Sequence, residues 1–487
     1  MQRPRSAVAA RIFAVVLALA CCSSVPVAPR AQEQAPQGQT AQDQPRNVDL
    51  ETPWGKQSID LAKLYDAVVD TVEQRFFNEA RLKELNWRTR ADALRPSVLA
   101  AVTAEDAIRR INSLLSELKT SHTGLFTPND YEYYILLDIL GPDRNLNDLM
   151  ARRFWGSGPY YPGIGMFTRQ IDGRHFVDGI LEGSPAERAG LKYGDEILSV
   201  DGLPYSPIFA FRGKIGATVA LEIRRDANAA PQRLEASVVP VRPAEAFASA
   251  TAASARIIER DGTRMGYVHI WASNESATFK AALDKFEPRN IVQDRLQTWG
   301  VRIIPNVMTD AMREMTKPPN PLDFLIVDVR GRVGGNIGVV AKYLELLDAR
   351  DTSYWGHERI IQRSDARLRV GIENTPRNPP FRGRSALLID HHARSAAELM
   401  AYGYKRGAFG PLIGTTTAGA VTSGSLSVMP GDLLLYVAVA GHELNGQPIE
   451  GVGVSPDHRV ERPLAYAAGA DPVLDAAVDL LAKRAPK

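Results

Sequence analysis

The residue best suited to covalent chemistry is Ser395. It follows a buried-strand run, Ala386-Leu387-Leu388-Ile389, and a sharp connection, His391-His392-Ala393-Arg394, and it opens a helical stretch that runs to Arg406. A serine at a strand-to-helix turn can act as a nucleophile. Its hydroxyl stands at the rim of the sheet, and the helix N-terminus offers unpaired N–H groups to a developing negative charge. The same spacing, Ser395-Ala396-Ala397-Glu398, is also a capping box, with the serine as N-cap and the glutamate reaching back. Local sequence leaves both readings open.

Composition narrows the class. The 487 residues allow two to four domains. Hydrophobic content of 45% with 23% charged residues is that of a globular protein with a large core. Lys+Arg 58 against Asp+Glu 56, a net charge of +2, gives no support for a nucleic-acid partner. No His/Asp/Glu cluster has metal-ligand spacing and no phosphate loop is present, so no metal or cofactor is expected.

The N-terminus reads as a targeting signal over residues 1–22. Arg3, Arg5 and Arg11 precede a short apolar run, Ile12 to Ala20, too short for an ordinary membrane span. Ala18-Leu19-Ala20 fits a small-x-small cleavage site, and Cys21 and Cys22, the only cysteines, follow at once. The pattern also resembles a bacterial lipoprotein signal, imperfectly, because leucine and a small residue do not both stand where a lipobox prefers them. The expectation is an exported chain, periplasmic or held at a membrane through a lipidated cysteine, in a Gram-negative-type bacterium. With no further cysteine, the mature domains have neither disulfides nor thiol chemistry.

The elements that must position Ser395 follow in order. Residues 23–57, rich in Ala, Gln and Pro, read as a flexible linker. Residues 58–155 form an N-terminal helical region: Leu61, Leu64, Val68 and Val72 recur at helical spacing, and a third helix runs from Thr103 to Leu118. His122 lies just past that helix end, in Thr120-Ser121-His122-Thr123. The aromatic stretch Asn129 to Trp155 has no clear period and reads as irregular. Residues 156–245 resemble a PDZ domain of the bacterial protease type, carried by Gly163-Ile164-Gly165-Met166, Ser184-Pro185-Ala186-Glu187-Arg188-Ala189-Gly190-Leu191 and Gly194-Asp195-Glu196-Ile197-Leu198. In such domains the Gly163–Met166 loop would hold a terminal carboxylate on backbone N–H groups while the peptide adds as a strand. An Ala-rich linker, Arg242 to Ser254, leads into 246–487, where strands and helices alternate. A near-continuous apolar strand, Phe324 to Arg330, precedes a glycine-rich turn. A helix is expected over Phe279 to Phe286.

Taken together, Asp328-Val329-Arg330-Gly331 with Gly334-Gly335, then Ser395-Ala396-Ala397-Glu398, then Glu450-Gly451-Val452-Gly453, in this order around a PDZ unit, resemble the tail-specific, or C-terminal-processing, serine peptidase family. The resemblance implies a multidomain α/β protein with a crotonase/Clp-like serine protease core. The family has two catalytic designs. In one, a lysine follows the nucleophile; here Ala420 stands at its place, and no lysine occurs between Lys405 and Lys483. Lys405 lies about 15 Å along the helix from Ser395. The tricorn-like design uses a histidine base preceded by serine, with a late glutamate, and Ser121, His122 and Glu450 match it. His122 would take the Ser395 proton, with Ser121 and Glu450 orienting it, and activity would follow a histidine ionisation near pH 6 to 7.5. His391 and His392 are competing bases that replace the small or amide residues usual before the nucleophile. An oxyanion hole would be formed by a glycine N–H of Gly334-Gly335 and the N–H of Ala396. The expected function is an exported serine endopeptidase acting on proteins or peptides with apolar C-termini. The alternative is an inactive PDZ adaptor on a degenerate protease core. A third class, small hydrophobic ligand binding on the same scaffold, has no feature in its favour.

Overall fold

The computed structural model describes residues 47–140, 146–155, 158–273, 322–331, 334–347, 355–363, 366–370 and 384–483. The targeting segment with Cys21 and Cys22, and the helix expected at Phe279–Phe286, lie outside these.

Chain order begins with a hairpin, β1 (Asn47–Thr52) and β2 (Gly55–Asp60), so the stretch read as linker to residue 57 is already sheet from Asn47. Alternating burial along β1 explains it: Val48 and Leu50 face inward, between exposed polar neighbours. Helices α1 (Leu61–Arg75), α2 (Glu79–Leu85), α3 (Trp87–Leu99) and α4 (Ala104–Ser116) follow. α1 starts where Asp60 accepts from the Lys63 N–H, and α4 where Thr103 accepts from the Asp106 N–H, ordinary side-chain caps. After α4 comes β3 (Gly124–Phe126), then α5 (Tyr131–Leu140) and α6 (Asn147–Phe154). The stretch read as irregular is therefore mostly two helices. Its aromatics are buried on several sides, Tyr131, Tyr133, Tyr134 and Phe154 together, so no single apolar stripe betrays the period.

The PDZ unit comprises β4 (Tyr161–Gly163), β5 (Met166–Ile171), β6 (Arg174–Ile180), α7 (Pro185–Arg188), β7 (Glu196–Val200), β8 (Leu203–Pro204), β9 (Thr218–Arg224), β10 (Gln232–Ser237) and β11 (Val239–Val241). Its main sheet runs β10-β9-β7-β6-β5, which leaves β5 at an edge. The Ala-rich linker is α8 (Pro243–Ser254), a buried helix with Ala244, Phe247 and Ala250 inward. Asp138 of α5 accepts from the Ala244 N–H at 2.7 Å and so satisfies its first turn.

The last part adds β12 (Arg256–Arg260), β13 (Thr263–His269), β14 (Phe324–Asp328), α9 (Ile337–Leu347), β15 (His357–Ile361), β16 (Ala366–Val370), β17 (Arg384–Ile389), α10 (Ala396–Arg406), β18 (Leu412–Gly414), β19 (Ser423–Met429), β20 (Leu433–Leu444), β21 (Gln447–Pro448), β22 (His458–Arg459) and α11 (Pro472–Ala482). One sheet, β12-β13-β14-β17-β18-β22, is parallel from β13 onward, and its central strands β14, β17 and β18 are buried on both faces, hence their continuous apolar runs. The second, antiparallel sheet is β16-β15-β20-β19, with β21 and β3 also on β20. Leu433, Leu435 and Val437 of β20 share one core with α1, α3 and α4. The helical region is thus built onto the antiparallel sheet rather than beside it.

Under the parallel sheet's C-terminal ends lies a buried charge network. Arg330, 6% exposed, chelates Asp328 through Nε and Nη2 and reaches Asp471 at 2.7 and 2.8 Å. Tyr267 donates to Asp328 at 2.8 Å. His269 meets Glu182 of the PDZ unit at 2.9 Å through Nδ1 and the Arg330 carbonyl at 2.9 Å through Nε2. Burial opposes a charge on His269, but Glu182 and Asp328 outweigh it and raise its pKa to about 9. Charged, it donates from both nitrogens and fastens PDZ unit to core.

Candidate active site

Ser395 is the N-cap residue of α10, at φ 55°, ψ −122°. That backbone is unfavourable for a residue with a Cβ and persists only where the surroundings hold it. Two bonds do so: the Ser395 N–H donates to the Ala420 carbonyl at 2.8 Å, and the Ala418 N–H to the Ala393 carbonyl at 3.0 Å. The Ser395 hydroxyl makes no capping bond. The capping-box partner is used elsewhere: Glu398, fully buried, accepts from Thr417 Oγ1 at 2.5 Å and from the Gly419 and Ala420 N–H groups. The glutamate therefore ties the 417–420 loop to the helix and leaves the serine hydroxyl for other work. Position 420, the lysine's place in the other design, lies directly against the serine backbone and carries only a methyl group. Lys405 is engaged by the Ser455 carbonyl and Asp457.

The turn ending α4 brings the second group. β3 pairs with β20, Gly124 opposite Tyr436, and so draws the preceding Ser121-His122 against the core. Asn112 brackets Leu125 with two hydrogen bonds, Nδ2 to its carbonyl at 2.9 Å and Oδ1 from its N–H at 2.7 Å, which fixes the register. His122 is at φ 54°, a second strained backbone, with its ring against Tyr436 at 5.4 Å. Ser121 Oγ is 2.8 Å from His122 Nδ1 and donates to Glu450 Oε2 at 3.0 Å. Glu450 also accepts from the N–H groups of Ser121 at 2.6 Å, Val421 at 2.8 Å and Thr422 at 3.2 Å. A carboxylate with this many donors is rigidly placed. Burial lowers the His122 pKa, and the positive charge of Arg394 adds to it, to about 3.

Ser121, His122 and Glu450 form one hydrogen-bonded row. Ser395 makes no hydrogen bond with it among the described residues; the link is the Ala420–Thr422 segment, whose Ala420 carbonyl holds Ser395 while its Val421 and Thr422 N–H groups hold Glu450. Thr422 Oγ1 also donates to the Ser121 carbonyl at 3.1 Å. Neither this threonine nor Tyr436 carries any motif by which the sequence could have marked it. Gly334 lies beside the serine: a Cβ there would be 3.6 Å from Ser395 Cβ. The Ser273 N–H donates to the Gly334 carbonyl at 2.9 Å, and Ser273 and Gly335 form a parallel bridge. The Gly335 N–H is thereby turned away from Ser273. Neither it nor the Ala396 N–H has an acceptor among the described residues.

His391 and His392 face the PDZ unit. His391 Nε2 is 2.8 Å from Arg169 Nη1; arginine can only donate, so this nitrogen accepts and the ring is neutral. Burial and His392 lower its pKa in agreement. His392 Nε2 lies 3.1 Å from Asp178 Oδ2, close but poorly aligned for a hydrogen bond.

In the PDZ unit, the Gly163, Ile164, Gly165 and Met166 loop is buried, so it is not open to a peptide in this state. Tyr131 of α5 packs edge-on to Phe167 at 5.2 Å and its hydroxyl is 3.3 Å from that of Tyr205, which in turn is 3.2 Å from Thr168. This aromatic chain stands over the edge of β5. Gly165, at φ +82°, is required: a Cβ would lie 2.4 Å from Ser184 Cβ. The loop carbonyls are used, Ile164 by the Ala186 N–H at 2.8 Å and Gly165 by the Leu181 N–H at 2.9 Å. The Ile164 and Gly165 N–H groups have no acceptor among the described residues.

Residues 264–460 match the model of peptidase family S41, and residues 176–225 match that of a PDZ domain. A PDZ domain and a family S41 peptidase domain thus follow one another in this chain. Among curated relatives, the carboxy-terminal processing protease CtpB of Bacillus subtilis is 25% identical over 63% of this chain and 57% of its own length. Carboxyl-terminal-processing peptidase 3, chloroplastic, of Arabidopsis thaliana is 22% identical over 73% of this chain and 60% of its own. The chain spans somewhat over half the length of these relatives. Among solved structures, mature CPAF in complex with lactacystin aligns over 87% of this chain and 99% of its own, with a TM-score of 0.50 at 12% identity, a likeness of fold.

Proposed function

We propose that this S41 chain is an exported serine endopeptidase that cleaves proteins or peptides near apolar C-termini. Ser395 is the nucleophile and His122 the general base. Ser121 and Glu450 orient the imidazole, and the N–H groups of Gly335 or Gly334 and of Ala396 receive the oxyanion. The observation that carries the reading is the strained Ser395, whose hydroxyl forgoes its cap while the capping glutamate is diverted to the neighbouring loop. An adaptor without catalysis has no need of that strain, nor of a Glu450–Ser121–His122 row. In acylation, Ser395 Oγ attacks the scissile carbonyl carbon and its proton passes to His122 Nε2. The imidazolium then protonates the leaving amine, and water hydrolyses the acyl-enzyme by the same path. Catalytic approach of Oγ to Nε2 accompanies substrate binding, as apo hydrogen bonds in such sites are often long.

The depressed His122 pKa revises the expected pH dependence. A base whose pKa lies near 3 is neutral throughout the physiological range, so the initial rate on a short peptide amide should be nearly flat from pH 5 to 8. Single-turnover rates over that range measure it; a rise through a midpoint between 6 and 7.5 would mean that the imidazole is hydrated during turnover.

Tail reading by the PDZ unit is supported by the two unaccepted N–H groups, since buried donors are normally paired. A peptide with a free apolar C-terminus should bind more tightly than its amide. Because Tyr131 packs on Phe167 of β5, the edge strand a peptide would join, Tyr131→Ala should raise the affinity for the free acid severalfold. Equal binding of acid and amide to this variant, measured by calorimetry, removes the carboxylate role.

A further inference from the structure

A second serine, outside the S41 motif residues, has the surroundings of a nucleophile. Ser423 Oγ is 2.8 Å from His442 Nε2, and His442 Nδ1 is 2.8 Å from Glu358 Oε1. The three come from adjacent strands of the antiparallel sheet. His442 of β20 stands opposite Ile360 of β15, and Glu358 lies two residues along the same face. On the other side Ser423 of β19 pairs with Ala440, one diagonal step from His442, at the point where the β19–β20 register shifts. Such a bulge re-aims a side chain out of the ladder.

The chemistry of each member fits its place. Glu358, with 18% of its side chain exposed, accepts from Nδ1–H and so fixes the tautomer that leaves Nε2 as acceptor. The His442 side chain is 6% exposed and held from both ends. Ser423 is exposed, so its hydroxyl is open to reagents and its proton already points at a base. Ser423 follows directly on Thr422, which belongs to the Ser121–Glu450 row. The two rows are therefore neighbours along the chain, joined at Thr422–Ser423.

We infer that Ser423, His442 and Glu358 form a second nucleophilic site that takes small activated acyl esters, with Ser423 as the acyl acceptor. Ser423 Oγ bonds to the acyl carbon while its proton moves to His442 Nε2. The C–O bond to the leaving alcohol breaks, and that alcohol takes the proton from Nε2. Water, deprotonated by His442, then releases the carboxylic acid and regenerates the serine. No oxidant or further reactant is required.

The test is made on the full chain carrying Ser395→Ala, so that the family nucleophile is silent. A fluorophosphonate should add one adduct, mapped to Ser423 by mass spectrometry of peptides. Ser395→Ala/Ser423→Ala and Ser395→Ala/His442→Gln should lose it, and Ser395→Ala/Glu358→Gln should label at least tenfold more slowly. Hydrolysis of p-nitrophenyl butyrate by the Ser395→Ala chain should fall at least tenfold on adding Ser423→Ala, an exposed change that leaves the fold intact. An unlabelled Ser395→Ala chain, or an esterase rate indifferent to Ser423→Ala, overturns the inference. The proposed role of Ser395 is read separately, from its own adduct in the unmutated chain.

Discussion

Ser395→Ala should reduce peptide-bond turnover by about 10⁴-fold or more, since nucleophile and base act as one unit. His122→Ala should cost nearly as much, for the same reason. Glu450→Gln should cost less, because it changes only how the imidazole is oriented and stabilised. The fold should hardly notice the first change: the hydroxyl makes no capping bond, so the ordinary cost of about 1 kcal/mol for losing a serine cap is not due. Alanine has to accept the same positive φ, and does so no worse than serine. The decisive measurement is single-turnover cleavage of an unactivated peptide amide with Ser395→Ala beside His122→Ala. Retained turnover in His122→Ala, with loss in His391→Ala or His392→Ala, would move the base to the turn beside the nucleophile, despite the Arg169 contact that occupies His391 Nε2.

Arg330→Leu should be the most damaging single change to stability, at about 3–5 kcal/mol. Arg330 pairs directly with Asp328 and, with Arg462, with Asp471. Its removal strands a carboxylate that is 0% exposed and otherwise held only by Tyr267 and backbone. Burial raises the Asp328 pKa, and the charges of Arg330 and His269 more than reverse that, leaving it well below the usual carboxylate range. Without the guanidinium the acid takes up a proton at the cost of its bonds. A chemical-denaturation midpoint for Arg330→Leu, alone and with Asp328→Asn, measures the coupling. The double variant should recover part of the loss, because the stranded charge is gone. A shift of less than about 1 kcal/mol for Arg330→Leu would show that solvent reaches the network.

How far the sequence could be read differs by element. The buried parallel strands were plain, because β14 and β17 are apolar without interruption. The helices α1 and α4 carry one apolar stripe and a side-chain cap each, and both were legible. α5 was not, because Tyr133, Tyr134 and Leu137 are all buried and its apolar residues occupy several faces. α8 was hidden by alanine, which serves a linker and a tight helix contact equally well. At the site, Ser395, Ser121, His122 and Glu450 were singled out from motif order, which says nothing of distance. The Ser121–His122–Glu450 row appears only once β3 is laid on β20. The diversion of Glu398 from a cap to the 417–420 loop is invisible locally, since the capping spacing is satisfied in either case. The packing of Tyr131 in α5 on Phe167 in β5 is a contact that no local pattern encodes. The Ser423–His442–Glu358 row is likewise a product of strand register across three separated segments.

The pairing of β3 with β20 has a consequence for timing. Ser121 and Glu450 are 329 residues apart in sequence yet share a hydrogen bond, and β20, which docks the Ser121–His122 turn, lies beyond Ser395 itself. Long-range pairings of this kind form late, after the loop between them has been closed. A chain still emerging from synthesis, or one trimmed before Glu450, holds Ser395 without an assembled Ser121–His122–Glu450 row. On the proposed reading, the site at Ser395 is therefore completed only as the fold is completed.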